Sequence, residues 1–401
     1  MSAPNGQELA AQEELRGLAR PDYAGGSIVN LMSSIALACG CHDLAYPPLR
    51  DLELSERARN IVLLVIDGMG YNLLRSVRPS GVLREQLRGR ITSVFPSTTA
   101  SAITTFLTGL APQQHGLTGW NVHLRELGEV MAVLPFRPRD PAARLADPVA
   151  AAARIFDQPA LFSRLSVESH VVVPAHVISS QYNLRHCSAA KSVAYTALAG
   201  LIQRIVGIVR GGDRRKYIYA YYPDLDRLAH DYGPSHSRVH AHLVRIGDSL
   251  NRLVNELQGT RTTLIVSADH GFVDTDPGLR IDTNNHHELS SNLVRPLCGE
   301  SRVAYCYVAA ERQRRFTSYV TSELRTQTLL STSESLYRQG YFGLGNAHPE
   351  LTKRIGDFIL IMKDRYTIKD WLPNEKRYVH RGVHGGISED ELYVPCIVTQ
   401  T

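Results

Sequence analysis

The cysteine pattern of this chain suggests neither a zinc finger nor a disulfide framework. The six cysteines, at 39, 41, 187, 298, 306 and 396, include no CxxC pair, and Cys39-Gly-Cys41 is too tight for an ordinary bridge. Reduced thiols are expected. Charge of one sign is scarce as well: 44 basic and 39 acidic residues give a net charge of only +5, spread along the chain. No basic run with interleaved aromatics occurs, so a nucleic-acid footprint is excluded, although a mild positive balance can help draw in an anionic substrate. Internal repeats and low-complexity tracts are missing. The first 26 residues are polar and charged, unlike a secretory leader. Ser27–Ala38 is apolar enough to deceive, but it is shorter than the roughly 18 residues that span a bilayer and reads as an amphipathic helix packed on the domain. A soluble, cytoplasmic protein without membrane contact is expected. Finally, Asp67-Gly-Met-Gly70 follows a strand yet lacks the GxGxxG order of a dinucleotide fold.

What is present is a set of apolar strands that run into aspartate. Ile61–Ile66 leads to Asp67, Tyr217–Tyr222 leads through Pro223 to Asp226 with His230 four residues on, and Thr263–Ser267 leads to Asp269-His270. Continuous apolar runs of this length read as strands buried on both faces of a mostly parallel sheet. Chemistry in such sheets gathers beyond the carboxyl ends of the strands. Carboxylates and imidazoles collected there are badly solvated unless divalent cations hold them together.

The rest of the chain fits this plan. At 401 residues it can form one large α/β domain spanning 1–401 and bury roughly 75% of its unfolded surface. Residues 1–58 read as a helical lead-in closed by Tyr46-Pro-Pro48. Helical stretches are expected at Tyr71–Arg75, Val82–Arg88 and Thr99–Leu107, the last ending at Gly109, with a second strand at Ile91–Val94. Residues 123–215 and 276–350 are less regular and read as cap or loop insertions over the active edge, with short strands at His170–Val173 and Arg302–Val308. Later strands fall at Asp357–Met362 and Tyr393–Val398. Strand–helix alternation implies right-handed βαβ units.

Five segments taken in order, VLLVIDGMG (62–70), SVFPSTTASAITTFLTGLAPQQHGLTGWN (93–121), YYPDLDRLAHDYGP (221–234), LIVSADHG (264–271) and VHGGISEDELYVP (383–395), resemble the nucleotide pyrophosphatase/phosphodiesterase branch of the alkaline phosphatase superfamily. The resemblance covers Ile61 to Val398. It implies an alkaline phosphatase-like fold, a mostly parallel central sheet with helices on both faces and an inserted cap. It also implies two divalent ions, zinc or else manganese, and a covalent intermediate on a threonine or serine. Carried over residue by residue, Asp226, His230 and His384 would hold one ion. Asp67, Asp269, His270 and the nucleophile oxygen would hold the other. His384 is preferred to His380 because the family's late ligand precedes glycine.

Three hydroxyls, Ser97, Thr98 and Thr99, compete as nucleophile. In related enzymes it lies ten residues before the glycine of a helix-ending Thr-Gly pair, and counting back from Gly109 gives Thr99. Thr99 would also open a helix, where free backbone N–H groups favour a phosphoryl oxyanion, leaving Thr98 as the N-cap. The substrate-binding asparagine corresponds to Asn121, one residue further along than in relatives, or else Trp120 fills its slot. Asp248 and the histidines at 115, 236, 240, 242, 286 and 287 read as structural or solvated. The sequence thus points to hydrolysis of a small phosphodiester or nucleotide pyrophosphate. A phosphomonoesterase or phosphonate hydrolase of the same superfamily is the alternative. A sulfatase is disfavoured because the Cys/Ser-x-Pro-x-Arg motif is missing. A monoester enzyme should add a cation for the second substrate charge, and Arg125 is the residue placed to do so if it turns inward.

Overall fold

A computed structural model describes residues 17–55, 58–373 and 375–401. The expected lead-in helix therefore lies partly outside the described residues. Within them, α1 (Ile28–Ala38) is helical, and Cys39 to Ser55 is mainly loop. This helix is not amphipathic, because ten of its eleven residues are buried. Asn30 inside it is satisfied: Oδ1 accepts from the Ser27 amide at 3.0 Å, and Nδ2 donates to Tyr23 O and Pro47 O. A buried amide with all its partners costs little.

Seven strands form the central sheet: β1 (Asn60–Ile66), β2 (Leu87–Thr92), β3 (Glu168–Pro174), β4 (Lys191–Tyr195), β5 (Lys216–Tyr222), β6 (Thr262–Ser267) and β7 (Tyr393–Gln400). Their order is β2-β7-β6-β1-β5-β3-β4. The pairs β1/β5, β1/β6, β3/β5 and β3/β4 are parallel, while β7 runs antiparallel to β6 and β2. Every residue of β1 is buried, as its unbroken apolar run requires. Burying side chains such as Ile61, Leu63 and Val65 contributes about 1.5–3 kcal/mol each before chain entropy is subtracted. The expected strand at Ile91–Val94 instead begins at Leu87, and the preceding helix stops at Glu85. The reason is local: Leu87-Arg-Gly-Arg lies at the sheet edge and alternates between half-buried and exposed, so it carries no apolar run.

Five helices matter for the site or its support: α1, α2 (Thr99–Thr108), α3 (Leu198–Arg210), α4 (Asp224–Tyr232) and α5 (Ser237–Glu256). α5 buries Val239, Leu243, Ile246, Leu250 and Leu253, spaced three or four apart on one face, against the sheet.

The two expected insertions need redrawing. β3, β4 and α3 all fall inside 123–215, so the second half of that region builds the far edge of the central sheet rather than a cap. The rest forms a second seven-stranded sheet. Its order is Thr328–Thr332, Phe358–Met362, Val303–Cys306, Cys298–Gly299, Asn121–Leu124, Glu129–Ala132 and Arg137–Pro138. All its pairings are antiparallel. These strands are short, and they join two distant stretches of chain that the sequence pattern treats separately.

A buried ion pair locks the second sheet to the loop that follows Val383. Arg302 Nε and Nη2 each donate at 3.0 Å to Glu391, whose carboxylate also accepts from the Gly386 amide and the Ser388 hydroxyl. Burial alone would raise the Glu391 carboxyl, but Arg302 and these donors hold it below its ordinary value. Arg302→Met strands that charge, and the expected cost is about 3–5 kcal/mol in urea unfolding. The lowered carboxyl also fixes a sign. The contribution of Glu391 is present above its ordinary pKa of 4.5 and lost as pH falls through the lower folded value.

Candidate active site

Strand order explains why the acidic residues meet. β1 lies between β5 and β6, so Asp67, Asp226 and Asp269 leave three neighbouring parallel strands at the same edge. The Asp67 amide donates to Tyr222 O at 2.9 Å, which continues the β1–β5 ladder one residue into the site. Asp226 and His230 lie one turn apart on α4, on the same face, with His230 Nε2 3.5 Å from Asp226 Oδ1. His384 Nε2 comes within 3.8 Å of the same oxygen from the late loop. His270 Nε2 is 3.3 Å from Asp67 Oδ1 and 3.4 Å from Asp269 Oδ2. Five of the six side chains thus form two adjoining donor groups, and Asp269 borders the second through its 3.4 Å approach to His270. One is Asp226, His230 and His384; the other contains Asp67 and His270, with Asp226 within reach of both. His380, the alternative to His384, packs its ring 4.3 Å from that of His230 instead.

The electrostatics fit divalent cations. Burial and mutual repulsion raise the carboxyls of Asp226 and Asp269 well above their ordinary range, and burial raises Asp67 to about 6. Burial lowers His230 to about 3 and His384 well below the usual imidazole value, so both rings are neutral and offer lone pairs. Asp67 Oδ1, Asp226 Oδ1 and Asp269 Oδ2 are buried without a hydrogen-bond partner, and these are the oxygens that face the imidazoles. Other atoms of Asp67, Asp269, His230 and His270 are occupied, whereas His384 Nδ1 is buried without a partner. Asp67 Oδ2 accepts from the Tyr221 hydroxyl, and Asp269 Oδ1 accepts from the amides of Gly68 and His270 at 3.1 and 3.0 Å. His230 Nδ1 and His270 Nδ1 lie 2.9 and 3.0 Å from the carbonyl oxygens of Gly382 and Gly271. Such bonds turn the Nε2 lone pairs inward, as outer partners of metal-binding histidines do. Three carboxylates with orphaned buried oxygens and, among the described residues, no arginine or lysine paired with them suit a bound cation.

The three candidate hydroxyls separate cleanly. Ser97 Oγ donates to Gly386 O at 2.7 Å, and Thr98 Oγ1 donates to Glu300 at 2.6 Å. Thr99 Oγ1 alone of the three faces the donor groups, 3.1 Å from His270 Nε2. Thr98 occupies the N-cap position with extended backbone, but its side chain makes no cap hydrogen bond, so the expected capping role is replaced by the contact with Glu300. Thr99 opens α2, and Gly109 closes it with φ at 72°, a left-handed value that glycine accepts without strain.

A cavity of about 290 Å³ opens on Thr99 and is lined by Asp226, His230 and His384 together with Asn121, Glu300 and Lys369. Asn121 begins a strand of the second sheet, paired with Ala132 and Gly299, and Trp120 beside it is 39% exposed at the rim. Arg125 turns away to Glu350 at 2.9 Å. The cations that do line the cavity, Arg139 and Lys369, were not marked by any motif, and neither was Glu300. Burial raises the Glu300 carboxyl to about 7 against the pull of the Thr98 and Trp120 donors. A signal for Lys369 exists only in retrospect, in its place between a short strand and Trp371. The other histidines are structural: His115 is buried and accepts from the Leu117 amide, and His242 meets the Tyr222 hydroxyl at 3.0 Å. Asp248 is exposed on α5.

The chain matches the model of the type I phosphodiesterase / nucleotide pyrophosphatase family over residues 61–387. A comparison with curated proteins matched none of them. Among solved structures, murine ectonucleotide pyrophosphatase/phosphodiesterase 5 is similar at 15% identity and a TM-score of 0.61, covering 84% of this chain and 87% of that one. Phosphonoacetate hydrolase from Sinorhizobium meliloti 1021, in complex with phosphonoformate, is similar at 16% identity and a TM-score of 0.61, covering 84% and 89%. An inactive threonine-to-alanine variant of the murine protein, in complex with AMP, is similar at 14% identity and a TM-score of 0.61, covering 84% and 87%. At these identities the structures establish the shared fold, and the family match establishes the rest: the chain belongs to the type I phosphodiesterase / nucleotide pyrophosphatase family and is a phosphoric ester hydrolase.

Proposed function

We propose that the protein hydrolyses phosphodiester or nucleotide pyrophosphate bonds through a covalent intermediate on Thr99, with two divalent cations held by Asp67, Asp226, His230, Asp269, His270 and His384. The observation that carries the reading is the placement of Thr99 Oγ1 against His270, at the mouth of two adjoining sets of donors whose inward oxygens have no other partner. The murine relative that binds AMP was inactivated by a threonine-to-alanine change, which supports a threonine in this role.

Divalent ions bound there, most simply zinc for a nitrogen and carboxylate set, would stabilise Thr99 as its alkoxide and offset charge on the substrate oxygens. The chain supplies the rest. Thr99 Oγ1 bonds to phosphorus as the ester bond to the leaving oxygen breaks. Water then cleaves the Oγ1–P bond, releasing a phosphomonoester and restoring the hydroxyl. The free amides of the first turn of α2 would bind the phosphoryl oxygens, and Asn121, which lines the same cavity, would position them. Ser97 and Thr98, each bonded elsewhere, hold the turn that aims Thr99.

A preference for diesters follows from charge. Arg125 is paired outside the cavity, and the inward cations Arg139 and Lys369 are matched by Asp370 and Glu375. No free arginine waits among the described residues to hold the second charge of a monoester. The expected result is a higher kcat/KM for bis-p-nitrophenyl phosphate than for p-nitrophenyl phosphate in metal-loaded enzyme. A tenfold preference for the monoester would overturn it. Phosphonate hydrolysis is the second reading, favoured by the equal structural likeness to phosphonoacetate hydrolase and by a lysine in the wall. Phosphate release from phosphonoacetate in the same assay separates the two. Six unpaired, buried thiols support a reducing compartment, and we place the enzyme in the cytoplasm on that ground. Among the described residues no helix is long and apolar enough to cross a membrane.

A further inference from the structure

Glu300 differs from the other charged groups of the cavity wall. Arg139 is met by Asp370 at 2.7 Å and Glu375 at 3.1 Å, and Lys369 by Glu375 at 3.0 Å. Glu300 makes no ion pair among the described residues. Its Oε1 takes two hydrogen bonds, from the Thr98 hydroxyl and from the Trp120 amide, each 2.6 Å. Oε2 takes none of them, and the residue lines the cavity beside Thr99.

The carboxylate is held in place from three directions. Thr98 immediately precedes Thr99, and Trp120 immediately precedes Asn121. On the third side Gly385, next to His384, has φ at +105°, and a Cβ there would meet Glu300 Cβ and Cγ at 2.8 Å. An anchored negative group thus borders the space in which a phosphoryl group bonded to Thr99 must sit, while the nearby positive groups are already neutralised.

We propose that Glu300 is a specificity-determining residue that selects phosphoesters with one negative charge and disfavours phosphomonoester dianions. The inference deepens the phosphodiesterase reading and rests on it. At an effective dielectric of about 20, one additional like charge a few ångströms away changes relative rates by about tenfold or more. A diester, with one charge, bears about half of the repulsion that a dianion meets.

The test compares wild type with Glu300→Gln, which keeps an acceptor for the Thr98 and Trp120 donors and removes the charge. With metal content matched, at about pH 8.5 where monoesters are dianions, kcat/KM is measured for bis-p-nitrophenyl phosphate and p-nitrophenyl phosphate. The diester-to-monoester ratio should fall by about tenfold, mainly through a lower monoester KM, and inorganic phosphate should inhibit about tenfold more tightly. Glu300→Ala must shift the ratio the same way, and Glu300→Asp, which retains the charge, must not. Parallel loss on both substrates, or an unchanged ratio, would reduce Glu300 to a structural clasp and overturn the proposal. Wild type inactive on the diester would instead overturn the phosphodiesterase reading itself.

Discussion

Thr99→Ala should remove turnover almost entirely, by at least about 10³-fold in kcat, while leaving the fold and metal content intact. The expectation follows from geometry: Thr99 Oγ1 lies 3.1 Å from His270 Nε2, and the two neighbouring hydroxyls are spent on Gly386 O and Glu300. Thr98→Val, which removes only the contact to Glu300, should keep most activity. Thr99→Ser should retain part of it, since a hydroxyl remains. An inactive Thr98→Val beside an active Thr99→Ala would place the nucleophile one residue earlier. Brief incubation with substrate, acid quench and peptide mapping offers an independent check, with the phosphoryl adduct expected on the peptide that carries Thr99.

Removing divalent metal should have a comparable effect on activity and a visible one on stability. Chelation is expected to abolish turnover, and zinc or manganese to restore it. A ligand that binds only the folded state stabilises by about 2.7 kcal/mol at a hundred times its Kd, so the metal-free protein should melt at a lower temperature. The buried carboxyls set the direction of the pH dependence. Asp67, Asp226 and Asp269 are all raised in the metal-free fold, so protons compete with a cation for their oxygens. Metal binding should therefore release protons and weaken as pH falls toward about 6, where Asp67 takes up its proton. Calorimetry in buffers of different ionisation enthalpy measures that release, and none at neutral pH would contradict this assignment. Asp226 is within reach of both donor groups, so Asp226→Asn should impair both ions, whereas His384→Gln should impair one.

The candidate aspartate donors were legible in the sequence because the fold's strongest signal points toward them, while His384 was reached through the family resemblance. β1, β5 and β6 are apolar enough to be recognised in the sequence, and each leads to its aspartate shortly beyond the strand end. Their adjacency in the sheet then does the assembling. Thr99 was legible through its distance to Gly109 and its place at the head of a helix. Apart from Asn121, the part of the cavity built by the second sheet was not legible. It rests on strands of two to five residues drawn from 121–138, 298–306 and 328–362, too short for a periodicity to emerge. Glu300 sits between Gly299 and Ser301 with no pattern around it, and only the folded chain brings it to Thr98 and Trp120. Arg125 was the one cation near the motif that could have turned inward, and the fold pairs it with Glu350 instead. The misread edge strands have the same origin: Leu87–Thr92 and Lys191–Tyr195 pair at sheet margins, where polar residues face solvent.

The account turns on two cations meeting one threonine, and anomalous diffraction from zinc-loaded crystals tests that directly. The predicted result is two peaks per chain. One should be ligated by Asp226, His230 and His384, and the other by Asp67, Asp269 and His270 with Thr99 Oγ1 facing it. A single peak, a peak on His380 in place of His384, or no metal near Thr99 would contradict it.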